Sequence, residues 1–423
     1  MSLSRREAMT WFDDARLGLF VHWGHYAAAG WEASWPLVGG VATLPHGQRL
    51  TVDAYHANAR RFRPDANAPA EWIAAAAQAG MRYAVMTTRH HDGFSLWPTR
   101  QSDFHIGIGG YDGDPVREYV DACRAHGLKV GFYYSLPDWH HPDYPAFTEA
   151  DKPYVFGQYP AADPEQWARY LDYLRGQLTE LLTDYGPIDI LWFDGGWERD
   201  AQAWDCAGIE RLARSLQPQI LINDRLPGHG DYATPEQFIP PTPPEGAWET
   251  CLTMNESWGF NPADRLYKSD ISLVHTLAEV AGRGGNLLLN ISPDGLGHLI
   301  PEQQERLATM ARWTEQHGEA IFGTRPGLEP WQFYGPTTRR GSTVYLHLLM
   351  RPNAPVAVRG VPVRHVTGVR CVGTGRALDY SCRVPVLDTL FGTDGPGELS
   401  IDVPVTELDE IATVLAVEFD QLP

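Results

Sequence analysis

Asp194 ends the run PIDILWFDGG, at the close of an apolar, strand-like stretch and followed by two glycines. A carboxylate so placed can cap a helix, bind a metal ion, or act as an acid, base or nucleophile. The next helix-like segment begins near Asp200 or Ala201, which makes Asp194 early for a cap. Other acids in unusual settings are Glu236 in GDYATPEQF, Glu249 in AWETC and Glu256 in MNESWG. Two carboxylates roughly 5–5.5 Å apart hydrolyse a glycosidic bond with retention, and about 6.5–9.5 Å apart with inversion. Spacing in sequence does not give that distance. The residues by themselves indicate a glycoside hydrolase in which Asp194 is one acid and its partner is unassigned.

Two histidine clusters, HWGHY (22–26) and HHDGF (90–94), raise the question of a metal. Neutral imidazoles with Asp92 make a chemically sensible ligand set. No HExxH occurs, however, and adjacent histidines in a loop cannot easily aim both rings at one ion. Hydrogen bonding to sugar hydroxyls suits them better, because each ring nitrogen can donate or accept. No metal and no cofactor is therefore expected. Trp23, Trp31, Trp35, Trp97, Trp192, Trp197 and Trp258 fall largely in the same glycine-flanked loops. Large flat faces there suit stacking on the C–H face of a sugar, with some left to plug the fold.

These groups need a scaffold that brings distant segments together. Short apolar runs alternate with helix-like segments up to about residue 320: RLGLFVHWG, YAVMTT, LKVGFYYS, PIDILWFDGG, QILIND, AWETC and NLLLNIS read as strands. Between them, 68–80, 114–127, 165–186 and 301–318 read as helices, with proline or aspartate at their starts and glycine at most ends. This is the pattern of a largely parallel sheet. A doubly wound sheet in its commonest form would carry a glycine-rich phosphate loop after the first strand, and HWGHYAAAGW is not one. His22, His90, His91, Asp194 and Arg225 instead all follow strand ends, which converge on one face of a (β/α)8-like TIM barrel. Seven strand candidates make eight a small extrapolation. The 225–270 region is rich in Pro, Gly and acids and reads as site-shaping loop. After residue 325 the texture becomes short β-branched runs with no convincing helix, a small C-terminal antiparallel β-sandwich. The expected division is 1–325 for the catalytic barrel and 326–423 for the sandwich.

Composition narrows the partners. With 34 basic and 53 acidic residues the net charge is −19, which gives no support to nucleic-acid binding. Five widely spaced cysteines speak against a disulfide scaffold and for a reducing compartment. The first twenty residues lack an apolar core of the export type, so a cytoplasmic location is expected. No uninterrupted apolar run approaches the roughly 18–20 residues of a membrane span, so no membrane partner is expected.

Taken in order, FVHWG, WEASW, TTRHHDGFSLW, GFYYS, ILWFDGG, NDR, GDYATPEQ, WETC–T–N–SWG and GGNLLLNISPDGLGHLIPEQQERL resemble the alpha-L-fucosidase family of retaining glycoside hydrolases. The resemblance runs from residue 11 to about 325 and extends to the C-terminal β-sandwich. It implies exo-acting release of terminal L-fucose from fucosylated oligosaccharides or glycoconjugates by double displacement. By that resemblance Asp194 is the nucleophile and Trp192 lies against the sugar. His22, His90, His91, Arg225 and one tyrosine of YYS match fucose-hydroxyl contacts, Tyr134 being preferred over Tyr133. Glu32 and Trp35 match the sugar-binding loop after the first strand, and Trp258 joins the substrate-binding set. The acid/base position varies within the family; TPE matches Glu236, with Glu249 the runner-up. The competing readings are a catalytically inactive fucose-binding protein and an inverting or metal-dependent hydrolase on the same barrel.

Overall fold

The computed structural model describes residues 5–39, 50–146, 148–154 and 157–421. The first four residues of the segment read for an export signal lie outside them. Seven strands form one parallel sheet: β1 (Leu17–Val21), β2 (Tyr83–Arg89), β3 (Lys129–Ser135), β4 (Ile190–Asp194), β5 (Leu221–Ile222), β6 (Glu249–Thr253) and β7 (Asn286–Ile291). Their order in the sheet is β5-β4-β3-β2-β1-β7-β6, each seen among the strand candidates of the sequence. The gap between β5 and β6 is spanned by 232–236, which makes single parallel bridges from Tyr232 to Asn223, from Ala233 to Trp248 and from Glu236 to Cys251. Pro235 has no N–H to donate, which limits this stretch to isolated bridges rather than a regular strand. The sheet with its surrounding helices is (β/α)8-like, and the segment expected to be loop supplies the eighth position.

Side chains alternate across the strands. Phe20, Tyr83, Val85, Tyr133, Ile190, Trp192, Leu221, Cys251 and Leu288 meet in one buried cluster inside the curve of the sheet. Leu19, Ala84, Phe132, Leu191 and Leu289 join the larger cluster that includes the surrounding helices. Gly18 belongs to the inner set by its position: a Cβ there would lie 2.4 Å from the Tyr83 ring. A helix ahead of β1, Arg5–Ala15, brings Phe12 against Tyr232 at 4.5 Å and joins the inner cluster. The helices behave as their termini predict; Asp114, for instance, accepts from the N–H of Arg117 at the start of Pro115–Ala125.

Beyond the barrel, two antiparallel sheets of five and three strands follow. Leu346, Leu415 and Val417 of one sheet share an apolar cluster with Val358, Leu399 and Ile401 of the other. Contrary to the sequence reading, this region contains a short helix, Val386–Phe391. Val386, Leu387, Leu390 and Phe391 share one face at i, i+4 spacing, but six residues are too few for that period to stand out in the sequence, and all four are exposed. The C-terminal region is bolted to the barrel helices: Trp313 Nε1 donates to the carbonyl of Ala412 at 2.9 Å, and Arg312 pairs with Asp409 at 2.8 Å. Among the described residues no helix is long and apolar enough to cross a membrane.

Candidate active site

At the C-terminal strand ends lies a cavity of about 590 Å³. Its wall includes Phe20, His22, Trp35, His90, Tyr133, Trp192, Asp194, Arg225, Glu236 and Trp258. Asp194, the last residue of β4, is 7 % exposed. Its Oδ1 takes a hydrogen bond from Arg225 Nη1 at 2.9 Å and its Oδ2 one from the Tyr133 hydroxyl at 2.9 Å. His91 Nε2 stands 3.6 Å from Oδ2, beyond hydrogen-bond reach. Burial pushes the Asp194 pKa up, but Arg225, His91 and the Tyr133 hydroxyl outweigh it and hold it at about 2. The group is an anion throughout the neutral range, aimed into an aromatic-walled cavity.

Arg225 links the acids. Its Nη2 reaches Glu236 Oε2 at 2.6 Å, so one guanidinium binds both carboxylates. Its plane sits 4.6 Å from the centre of the Trp192 ring, which in turn stacks on Tyr133 at 5.5 Å. Glu236 is partly open to the cavity mouth, with 38 % of its side chain exposed. Glu249 differs in every respect. It is fully buried beneath Trp192, where Oε1 accepts the indole N–H at 3.0 Å and Oε2 accepts the Tyr83 hydroxyl. Burial raises its pKa to about 7 against those hydrogen bonds. It does not line the cavity; Trp192 stands between.

The histidines separate as well. His22 and His90 line the cavity, whereas His91 is buried behind it, between Trp35 and Trp139. Burial lowers the pKa of His22 and His90 to about 3 and of His91 to about 4, so all three rings are neutral at pH 7. The tautomer of His22 is fixed by its neighbours. Asn290 Nδ2 must donate to the carbonyl of Trp258 (2.8 Å), which turns Asn290 Oδ1 toward His22 Nδ1 (2.7 Å). His22 Nδ1 therefore carries the proton and Nε2 is an acceptor. His90 Nδ1 meets Ser34 Oγ at 2.5 Å, and its ring lies parallel to Tyr133 at 5.5 Å.

Three expectations need correction. His91, matched to a fucose-hydroxyl contact, is fully buried and absent from the cavity wall. Tyr134 does not reach the cavity: its hydroxyl donates to Gln177 and its ring lies under Arg89. Strand alternation puts Tyr133, Trp192 and Asp194 on the inner face, and Tyr134 opposite them. Glu32 is also absent from the cavity wall. Its buried carboxylate accepts the backbone N–H groups of Trp258 and Gly259, both at 2.7 Å, and so positions the Trp258 loop. The two glycines after Asp194 are fixed by neighbouring segments rather than by the carboxylate. A Cβ at Gly195, whose φ is 76°, would strike Pro137, and one at Gly196 would lie 2.2 Å from the carbonyl oxygen of Arg225. Among the tryptophans, Trp35, Trp192, Trp197 and Trp258 line the cavity. Trp23 and Trp97 are core, and Trp31 stacks on Tyr55. Tyr159 and Phe20 line it without having been singled out, and Asn290 and Ser34 support it.

A (β/α)8-like sheet carrying an anionic aspartate, a second carboxylate and an aromatic cavity at its C-terminal edge is an arrangement suited to glycoside hydrolysis. Comparison with known proteins agrees. Residues 1–319 match the family model described as alpha-L-fucosidase. The chain is 31% identical over 411 residues to the tissue alpha-L-fucosidase of Homo sapiens, covering 90% of this chain and 84% of that one. Alpha-L-fucosidase isoenzyme 1 from Paenibacillus thiaminolyticus superposes with a TM-score of 0.85 at 33% identity, over 99% of this chain and 100% of that one. A trapped covalent intermediate of an alpha-L-fucosidase from Bacteroides thetaiotaomicron, in complex with 2-fluoro-fucosyl fluoride, gives 0.82 at 25% identity, over 97% and 96% of the two chains. The chain belongs to the alpha-L-fucosidase family, a family of glycoside hydrolases.

Proposed function

We propose that this protein releases terminal L-fucose from fucosylated glycans by double displacement, with Asp194 as nucleophile and Glu236 as acid/base. The observation that carries this reading is the pair of carboxylates sharing Arg225 in one cavity. Asp194, ionised and hydrogen-bonded, attacks the anomeric carbon and forms a fucosyl-enzyme ester. Glu236 protonates the departing glycosidic oxygen, then takes a proton from the water that cleaves the ester. To act as an acid it gives up its ion pair, the seated sugar taking that place against Arg225. Trp192 offers an apolar face to the ring. His22 accepts from a fucose hydroxyl through Nε2, and His90, Tyr133 and Arg225 complete the polar contacts; His91 acts from behind on Asp194.

The same reading takes the two C-terminal sheets as a β-sandwich that braces the barrel. Their shared apolar cluster supports this, as does the lack of any cavity-lining residue beyond Trp258 among those described. The boundary at 325/326 falls within a two-residue strand, Arg325–Pro326, that already pairs with the C-terminal sheet. A reducing, cytoplasmic setting is consistent with five free cysteines. The test is hydrolysis of an aryl alpha-L-fucoside followed by NMR. The reading requires alpha-L-fucose as the first-formed product; beta-L-fucose would overturn retention, and inertness toward every fucoside offered would overturn the activity.

A further inference from the structure

The cavity changes character from floor to mouth. Phe20, His22, Tyr133 and Trp192 are buried at the floor, whereas Trp197 lines the mouth and is 43 % exposed. Other rim aromatics spend their rings inside. Trp258 lies against His22 at 4.9 Å, and Trp35 against His91 at 5.5 Å. Trp197 touches the edge of His91 at 6.0 Å and turns much of its surface outward. A single exposed aromatic is ordinary on a protein surface. This one is three residues from Asp194, on a mount that is tightly held. Trp204 Nε1 donates to the carbonyl of Gly196 at 3.0 Å. The adjacent Glu198 is buried and accepts from Trp139 Nε1 at 3.1 Å and from the hydroxyls of Tyr144 and Tyr154. Arg199 Nη2 donates to the carbonyl of Pro160 at 2.8 Å, and its guanidinium lies 5.6 Å from the Tyr159 ring, tying the segment of Tyr159 to this turn.

A held backbone turn that carries a solvent-exposed tryptophan suits it to receive a ligand face, because a rigid indole with two side-chain torsions loses little entropy on contact. The bond to be cleaved lies between Asp194 and Glu236, Glu236 opens outward, and Trp197 is the most exposed aromatic lining the same cavity, so it is placed to meet a leaving group that extends out of it. We propose that Trp197, aided by Tyr159, forms the leaving-group subsite, receiving the apolar C–H face of the sugar ring to which fucose is attached. This rests on the fucosidase reading and deepens it.

The experiment compares wild type, Trp197→Ala and Trp197→Phe on alpha-L-fucosyl fluoride, whose leaving group has no ring, and on fucosylated disaccharides of each linkage. For at least one linkage, the kcat/KM loss in Trp197→Ala should exceed the loss on the fluoride by about tenfold, with Trp197→Phe recovering most of it. Equal losses on both substrates, or none on either, would overturn the subsite. Thermal midpoints of both variants check that the fold is intact. A wild-type protein inert toward the fluoride would instead overturn the fucosidase reading, and the subsite with it.

Discussion

Asp194 and Glu236 are held by the two terminal nitrogens of one guanidinium, Arg225 Nη1 at 2.9 Å and Nη2 at 2.6 Å. The nearest oxygens of the two acids are thus separated by two hydrogen bonds and the width of a guanidinium. That closeness suits attack on one side of a glycosidic bond and protonation on the other. It also makes Arg225 the main positive charge acting on Asp194.

Replacing Arg225 by Met should therefore move the acidic limb of the pH–kcat/KM profile. Burial raises the Asp194 pKa and Arg225 is the foremost influence lowering it to about 2. Without the guanidinium the carboxyl protonates at higher pH, so activity is lost earlier on acidification. The limb should shift upward by about one pH unit or more. An unmoved limb would mean that Arg225 does not set the ionisation of Asp194.

Glu236 and Glu249 are separated by their surroundings, and azide should tell them apart. In Glu236→Ala, azide should restore turnover of an activated aryl fucoside and yield a fucosyl azide, since a small anion can enter where the acid/base stood. Glu249→Ala should give no such product, because its carboxylate lies behind Trp192 and holds the indole N–H. Glu249→Gln keeps an acceptor for that N–H and should stay within about threefold of wild type, less than the value of one lost buried hydrogen bond. Rescue confined to Glu249→Ala would reverse the assignment.

Tyr133 and Tyr134 are neighbours in sequence with opposite destinations. Tyr133→Phe removes the hydroxyl that donates to Asp194 and should lower kcat about ten- to a hundredfold, the worth of a hydrogen bond to a charged group. Tyr134→Phe removes a buried bond to Gln177 instead. It should lower the thermal midpoint, at a cost of about 1–3 kcal/mol, while kcat/KM changes little. A large kcat loss in Tyr134→Phe with none in Tyr133→Phe would contradict the strand register.

The residues that could be read from sequence are those whose meaning is local. Strand ends and helix caps follow from periodicity and composition, and they placed His22, His90, Asp194 and Arg225 on one rim. What escaped depends on facing and on long-range contacts. Tyr133 shares parity with Gly131 and Ser135, and β3 pairs Tyr133 with Trp192 and Ser135 with Asp194; only that pairing shows which tyrosine turns inward. Glu32 is matched to a sugar-binding loop only by the family resemblance, and its partners are the amides of Trp258 and Gly259, more than two hundred residues away. The eighth position of the barrel was hidden because Pro235 breaks the hydrogen-bond ladder that a strand pattern signals. The short helix Val386–Phe391 lies among β-branched runs, and six residues are too few for its i, i+4 apolar pairs to stand out as a helical period.

The central claim is that Asp194 becomes covalently bonded to the sugar. Treating the protein with 2-fluoro-fucosyl fluoride, which slows the release step, followed by intact mass measurement and peptide sequencing, tests it most directly. A single fluorofucosyl adduct on Asp194, absent from Asp194→Gly, is the predicted result. An adduct on another carboxylate, or an enzyme that turns over aryl fucosides yet is never labelled, would contradict it.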